Sequence, residues 1–131
     1  MLHVTDQESE AEVAINHVAI VYLTPNQDNE NQGTIIMKPD KTSVNAIEEY
    51  DSLKRLLPQF IEIQDRQYFL DSETGPTKPY LINPNALVSY TLYADKTIST
   101  FEILLSCGEK LLTNEPLDQL FGNETFSAMD D

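Results

Sequence analysis

Basic residues are scarce in this chain. Eight Lys and Arg stand against 22 Asp and Glu in 131 residues, a formal charge of −14. An ordinary grip on nucleic acid needs clustered Lys and Arg to displace counterions, and this balance argues against one. Cysteine is nearly absent. The single thiol, Cys107, cannot form an internal disulfide, so a disulfide framework is excluded. There are two histidines, His3 and His17, and neither has a cysteine or carboxylate at metal-ligand spacing. The four glycines, Gly33, Gly75, Gly108 and Gly122, are scattered and make no phosphate loop. No run of eighteen apolar residues is present, so no spanning helix is expected. The start, "MLHVTDQESEAEV", has neither a basic opening nor an apolar core. It does not read as a signal peptide, and cytoplasmic residence is the expectation.

The acidic excess is uneven. Asp6, Glu8, Glu10 and Glu12 carry four charges at one end, and Glu124, Asp130 and Asp131 carry three at the other. Charge-rich ends with few apolar residues read as solvated tails, so residues 1–12 and 123–131 are expected to be disordered. Between them, residues 13–122 are long enough for one β-rich domain.

Within that domain one phrase occurs twice. "VAINHVAIVYL" at Val13–Leu23 is echoed by "YLINPNALVSY" at Tyr80–Tyr90. Ile15 and Asn16 match Ile82 and Asn83 at an offset of 67 residues, and Ala19, Ile20 and Val21 match Ala86, Leu87 and Val88. The density of β-branched residues predicts a strand over Val13–Leu23, bent near Asn16–His17. A hairpin follows each phrase, turning at "KPDK" in the first and at "SCGE" in the second, where Gly108 supplies the backbone angle. Each hairpin is then followed by an amphipathic stripe. In the first, Asn45 and Glu48 read as a capping box for a helix with Tyr50, Leu53, Leu56 and Leu57 on one face, stopped by Pro58. In the second, Leu117, Leu120 and Phe121 precede Gly122. Between the two, "QFIEIQ" alternates as a half-buried strand, with Arg66–Leu70 as its expected hairpin partner. The expected fold is α+β, mostly β. It is a tandem pair of related β-hairpin plus short helix units (13–58 and 80–122) sharing one sheet or core, with a middle hairpin (59–70) and a linker (71–79).

The stretch "YLINPNALVSYTLYADKTISTFEILLSCGEKLL" resembles small β-modules of the flagellar FlbD type, which carry an "LNP" step before a hairpin and a Gly turn. The element order from Val18 to Phe121 also resembles a LytTR-type DNA-binding domain, through Leu53, Leu57, Phe60, Ile61, Ile63 and Asn83. That resemblance implies a basic face. Here the segment after the helix reads "EIQDRQYFLDSETGPTK", in which Arg66 and Lys78 are outnumbered by carboxylates that repel phosphate. A shared fold need not carry the activity.

No catalytic constellation stands out. His17 lies in a predicted strand without a partner for acid–base work, and Cys107 sits in a turn with no base beside it. The expectation is a protein that is not an enzyme, with no cofactor and no metal. It would bind another protein, steering a basic partner with acidic residues. The contact residues expected are Glu62, Asp65, Tyr68, Asp71, Glu73 and Tyr93. Two other readings differ in class. A DNA mimic would set carboxylates at phosphate-like spacing. A LytTR-like regulator would assemble a basic face from Lys38, Lys41, Lys54, Arg55, Lys96 and Lys110. Exposed hairpin edges also make a homodimer by strand pairing an expectation.

Overall fold

The computed structural model describes residues 1–26, 33–65, 78–94 and 99–113. Among these are ten strands in three sheets and one short α-helix, so the chain is α+β and mostly β. The chain opens with β1 (Leu2–Thr5) and β2 (Glu12–Ile15), an antiparallel hairpin. A 3-10 turn (His17–Ala19) leads into a meander of β3 (Tyr22–Pro25), β4 (Thr34–Met37) and β5 (Ser43–Ala46). Helix α1 (Tyr50–Arg55) closes this first unit. The second unit repeats the order. Strands β6 (Ile61–Asp65) and β7 (Lys78–Ile82) pair, and a 3-10 turn (Pro84–Ala86) follows. The meander is then β8 (Leu87–Ala94), β9 (Ser99–Leu105) and β10 (Lys110–Thr113).

The offset of 67 residues persists in the backbone. Asn16 and Asn83 both cap their 3-10 turns, accepting from Val18 N at 3.2 Å and Asn85 N at 3.0 Å. Short polar side chains do this because they bond backbone two residues on. In the β4–β5 turn, Lys38 N donates to Thr42 O (2.9 Å) and Lys41 N to Lys38 O (3.0 Å). In the β9–β10 turn, Leu105 N donates to Glu109 O (3.0 Å) and Gly108 N to Leu105 O (2.8 Å). The residue with positive φ is Lys41 (71°) in one turn and Gly108 (89°) in the other. The registers match as well. Ile36 faces Val44 as Ile103 faces Leu111, and Tyr22 faces Met37 as Ser89 faces Leu104.

Each unit has its own core, and Ile15/Ile82 and Ile36/Ile103 are buried at equivalent positions in the two. The first gathers Leu2, Val4, Ile15, Ile20, Leu23, Ile36, Ala46 and the helix residues Tyr50, Leu53 and Leu57. The second gathers Ile63, Ile82, Ala86, Ile103, Leu105, Cys107 and Leu111. Two exchanges join them. Leu81 of β7 enters the first core, while Val21 and Tyr22, at the start of β3, enter the second. They meet because β3 and β7 are neighbours in a five-stranded sheet of order β5-β4-β3-β7-β6. The expected shared sheet is therefore present, and each unit also keeps its own core.

Several expectations are corrected. Residues 1–12 are not a tail: β1 and the start of β2 lie there, with Leu2 and Val4 buried. The acids of this segment occupy the turn between the strands and its exposed positions. The bent strand over Val13–Leu23 is two strands separated by a 3-10 turn, so His17 is in that turn. No capping box forms at Asn45, which belongs to β5. Glu48 instead accepts from Thr5 N (2.8 Å) and Thr5 Oγ1 (3.0 Å), tying the helix entry to β1. Leu56 is exposed, because the helix ends one residue before it. The partner of β6 is β7, and β7 reaches back to Lys78, inside the expected linker. Pro79 is tolerated there because the β3 ladder involves only Leu81 and Ile82. The expected second helix at 117–121, Arg66–Leu70 and the tail at 123–131 lie outside the described residues.

Two substitutions test the turns. Gly33 has φ of 90°, and a Cβ there would run into Ala46 O. Gly33→Ala is expected to lower unfolding stability by about 3 kcal/mol, from positive-φ strain plus a backbone clash. Lys41→Gly is expected to raise stability by up to about 1 kcal/mol, because glycine holds positive φ without the Cβ penalty. Urea unfolding measures both.

Candidate interaction surfaces

Two of the expected contact residues are engaged internally. Glu62 Oε2 accepts from Tyr50 OH (2.8 Å) and Lys54 Nζ (2.9 Å), bridging β6 to α1. Asp65 Oδ1 accepts from Leu112 N (3.0 Å), bridging β6 to β10. These carboxylates fix the architecture before they can steer a partner. Tyr93 lies in β8, opposite Thr100 of β9. Tyr68, Asp71 and Glu73 lie outside the described residues.

Other carboxylates are similarly occupied. Asp6 accepts from Ser9 N and Oγ, and Asp40 from Thr42 N and Oγ1; these bonds hold both carboxyl groups below the usual range. Glu12 meets His3 at 3.1 Å, and Glu102 meets Lys110 at 3.9 Å. Exposed pairs of this kind contribute little stability. Still, Lys54 and Lys110 each have a carboxylate neighbour, which reduces the basic face a DNA reader would require.

The groove beside α1 has a volume of about 390 Å³ and is walled by Glu49, Tyr50, Asp51, Lys54 and Glu62. Tyr50, Lys54 and Glu62 satisfy one another there. Among the described residues no cluster of three metal-ligating side chains exists, and no helix is long and apolar enough to cross a membrane.

The seam between units holds a second polar group. Tyr22 and Tyr80 meet edge to face with centroids 4.9 Å apart. Burial pushes the Tyr22 hydroxyl well above the ordinary phenol range, and its hydrogen bond to Glu109 pushes it further. Glu109 Oε2 is buried without a hydrogen-bond partner among the described residues. Tyr50 is raised in the same direction, by burial first and by Glu62 second.

The outer edge of β8 presents a different chemistry. Among the described strands, the order β10-β9-β8 leaves β8 last in its sheet. Val88 and Leu92 are exposed by 58% and 50%, and Thr91 is exposed beside them. The equivalent strand of the first unit, β3, has this edge covered by β7. Val21, the equivalent of Val88, is wholly buried. A register shift at Leu87/Ser89 bulges β8 at Val88, and bulges are one way edges are blunted. Sequence reasoning expected strand pairing at hairpin edges and named Tyr93 of β8, but did not single out Val88 and Leu92. The apolar Val88 and Leu92 in an otherwise half-polar strand were the available signal. No family model, curated protein or solved structure matches the chain.

The two buried tyrosines set an alkaline limit. Their folded pKa values lie above the unfolded value of about 10, so the folded state keeps protons that the unfolded state releases. Stability is then expected to be flat below pH 10 and to fall as pH rises above it. Thermal melts from pH 8 to 12 check this, and Tyr22→Phe with Tyr50→Phe should flatten the alkaline decline.

Proposed function

We propose that this protein is a non-enzymatic interaction module that binds protein through strand addition at the outer edge of β8. The observation that carries the reading is the contrast between Val21, fully buried, and Val88, 58% exposed, at equivalent positions. An open edge offers main-chain hydrogen bonds for affinity, and alternate side chains supply specificity. Exposed apolar groups on such an edge favour a protein partner over nucleic acid, whose phosphates would also face the net charge of −14. The FlbD-type resemblance of the second unit belongs to the same reading. The internal engagement of Glu62, Asp65 and Asp40 weighs against a DNA mimic, since those carboxylates point at this chain's own donors.

The reading is tested by affinity capture from a nuclease-treated lysate of the native source. Tagged wild-type chain is expected to retain a stoichiometric protein that a Val88→Lys, Leu92→Lys variant loses, with the variant's circular dichroism unchanged. Equal recovery by both, or recovery that requires nucleic acid, would contradict it.

A further inference from the structure

The internal repeat also specifies an occupant for the β8 edge. This inference rests on the strand-addition reading above and names its partner. The joint between the two units consists of β3 accepting β7. Tyr22 faces Ile82, Asn83 N donates to Val21 O (3.0 Å), and Thr24 Oγ1 donates to Pro79 O (2.8 Å). Asn83 Nδ2 completes it, donating to Ile20 O at 3.0 Å and His17 O at 3.3 Å.

Moved along the chain by 67 residues, the acceptor β3 becomes β8. Moved back by 67, the donor β7 becomes β2. Both halves of a second joint are therefore present in one chain, unpaired with each other among the described strands. Strand β2 pairs only with β1, and β8 only with β9, among the described strands. Four side chains of the internal joint are retained at these positions, while Ser89, Tyr90 and Ala14 stand where Tyr22, Leu23 and Leu81 stand. Thr91 stands where Thr24 stands, Asn16 where Asn83 stands, Val88 where Val21 stands and Ile15 where Ile82 stands. Their exposure differs as an unfilled joint requires. Asn83 is buried and Asn16 exposed; Thr24 is buried and Thr91 exposed.

We infer that the partner of the β8 edge is the β2 edge of a second copy of this chain. The copies repeat the internal unit-to-unit joint head to tail. The register is defined. Ser89 faces Ile15 of the next copy, Asn16 N of that copy donates to Val88 O, and Thr91 Oγ1 donates to Glu12 O. Asn16 Nδ2 donates to Leu87 O, as Asn83 Nδ2 does to Ile20 O within the chain. Each copy gives one edge and accepts on another, so the contact is heterologous. Such contacts build a ring when the rotation closes and an open row when it does not.

Two rungs beyond Ser89–Ile15, the same register places Thr91 near Val13 of the next copy. Isotope-labelled Val13→Cys chain is mixed with unlabelled Thr91→Cys chain under mild oxidation, with wild type as control for the buried Cys107. Peptide mass spectrometry is expected to find a 13–91 disulfide between labelled and unlabelled chains. Because each chain carries only one of the two introduced cysteines beside Cys107, a 13–91 link cannot form within one molecule. Light scattering of wild type is expected to show mass rising with concentration above 14.8 kDa. Asn16→Asp keeps the oxygen that caps its own turn and loses the Nδ2 donor. It should weaken self-association about tenfold, the effect of one interfacial hydrogen bond. A constant 14.8 kDa mass with no 13–91 link would overturn the inference. A 91–91 link would also overturn it, because it would show β8 pairing with itself. If capture then still recovers a foreign protein through Val88 and Leu92, the strand-addition reading survives and only the self-partner fails.

Discussion

The pairing of β3 with β7 is the constraint on which the rest depends. It is short: Tyr22 with Ile82, and Leu23 with Leu81. Its strength comes from what surrounds the two rungs. Asn83 is buried, and its amide satisfies the carbonyl of Ile20 and adds a second bond to that of His17, which also accepts from Ile20 N. An unmet buried carbonyl or amide costs about 1–3 kcal/mol, so these bonds are worth more as necessities than as gains. Around them, Val21 and Tyr22 enter one core and Leu81 enters the other. Neither core closes without the other unit's residues.

This joint explains why two similar units occupy one chain. A single unit of this size buries a small fraction of its surface and is marginal alone. Pairing lets each unit use the other's strand as a wall. The helix α1 and its carboxylate partners serve the same end. Glu48 ties the helix entry to β1, and Glu62 ties the helix to β6. Two of the acidic residues that look available for steering in the sequence, Glu62 and Asp65, are structural in the fold. The net charge of −14 thus overstates the free acidic surface.

The repeat was legible because its strongest signals are local. An Asn-capped 3-10 turn and a hairpin turn leave recognisable residues at fixed spacing, as Asn16/Asn83 and "KPDK"/"SCGE" do. The boundaries were less legible. Strand β1 was hidden because Asp6, Glu8, Glu10 and Glu12 dominate the composition of its hairpin, although Leu2 and Val4 alternate as a half-buried strand should. The pairing of β6 with β7 was not legible, because sequence distance says little about which strand pairs across a long separation. The roles of Glu62 and Asp65 could not be read at all. Each depends on a donor from another element, Tyr50 and Lys54 for one and Leu112 for the other.

Native-state hydrogen exchange followed by NMR tests the central claim most directly. If the β3–β7 joint unites the two units, the Asn83 amide, which donates to Val21 O, exchanges only through global unfolding. It then shares one opening free energy with the amides of β4 and β9. Independent units would give a different result: Asn83 would exchange by local opening, and β4 and β9 would show two separate opening energies.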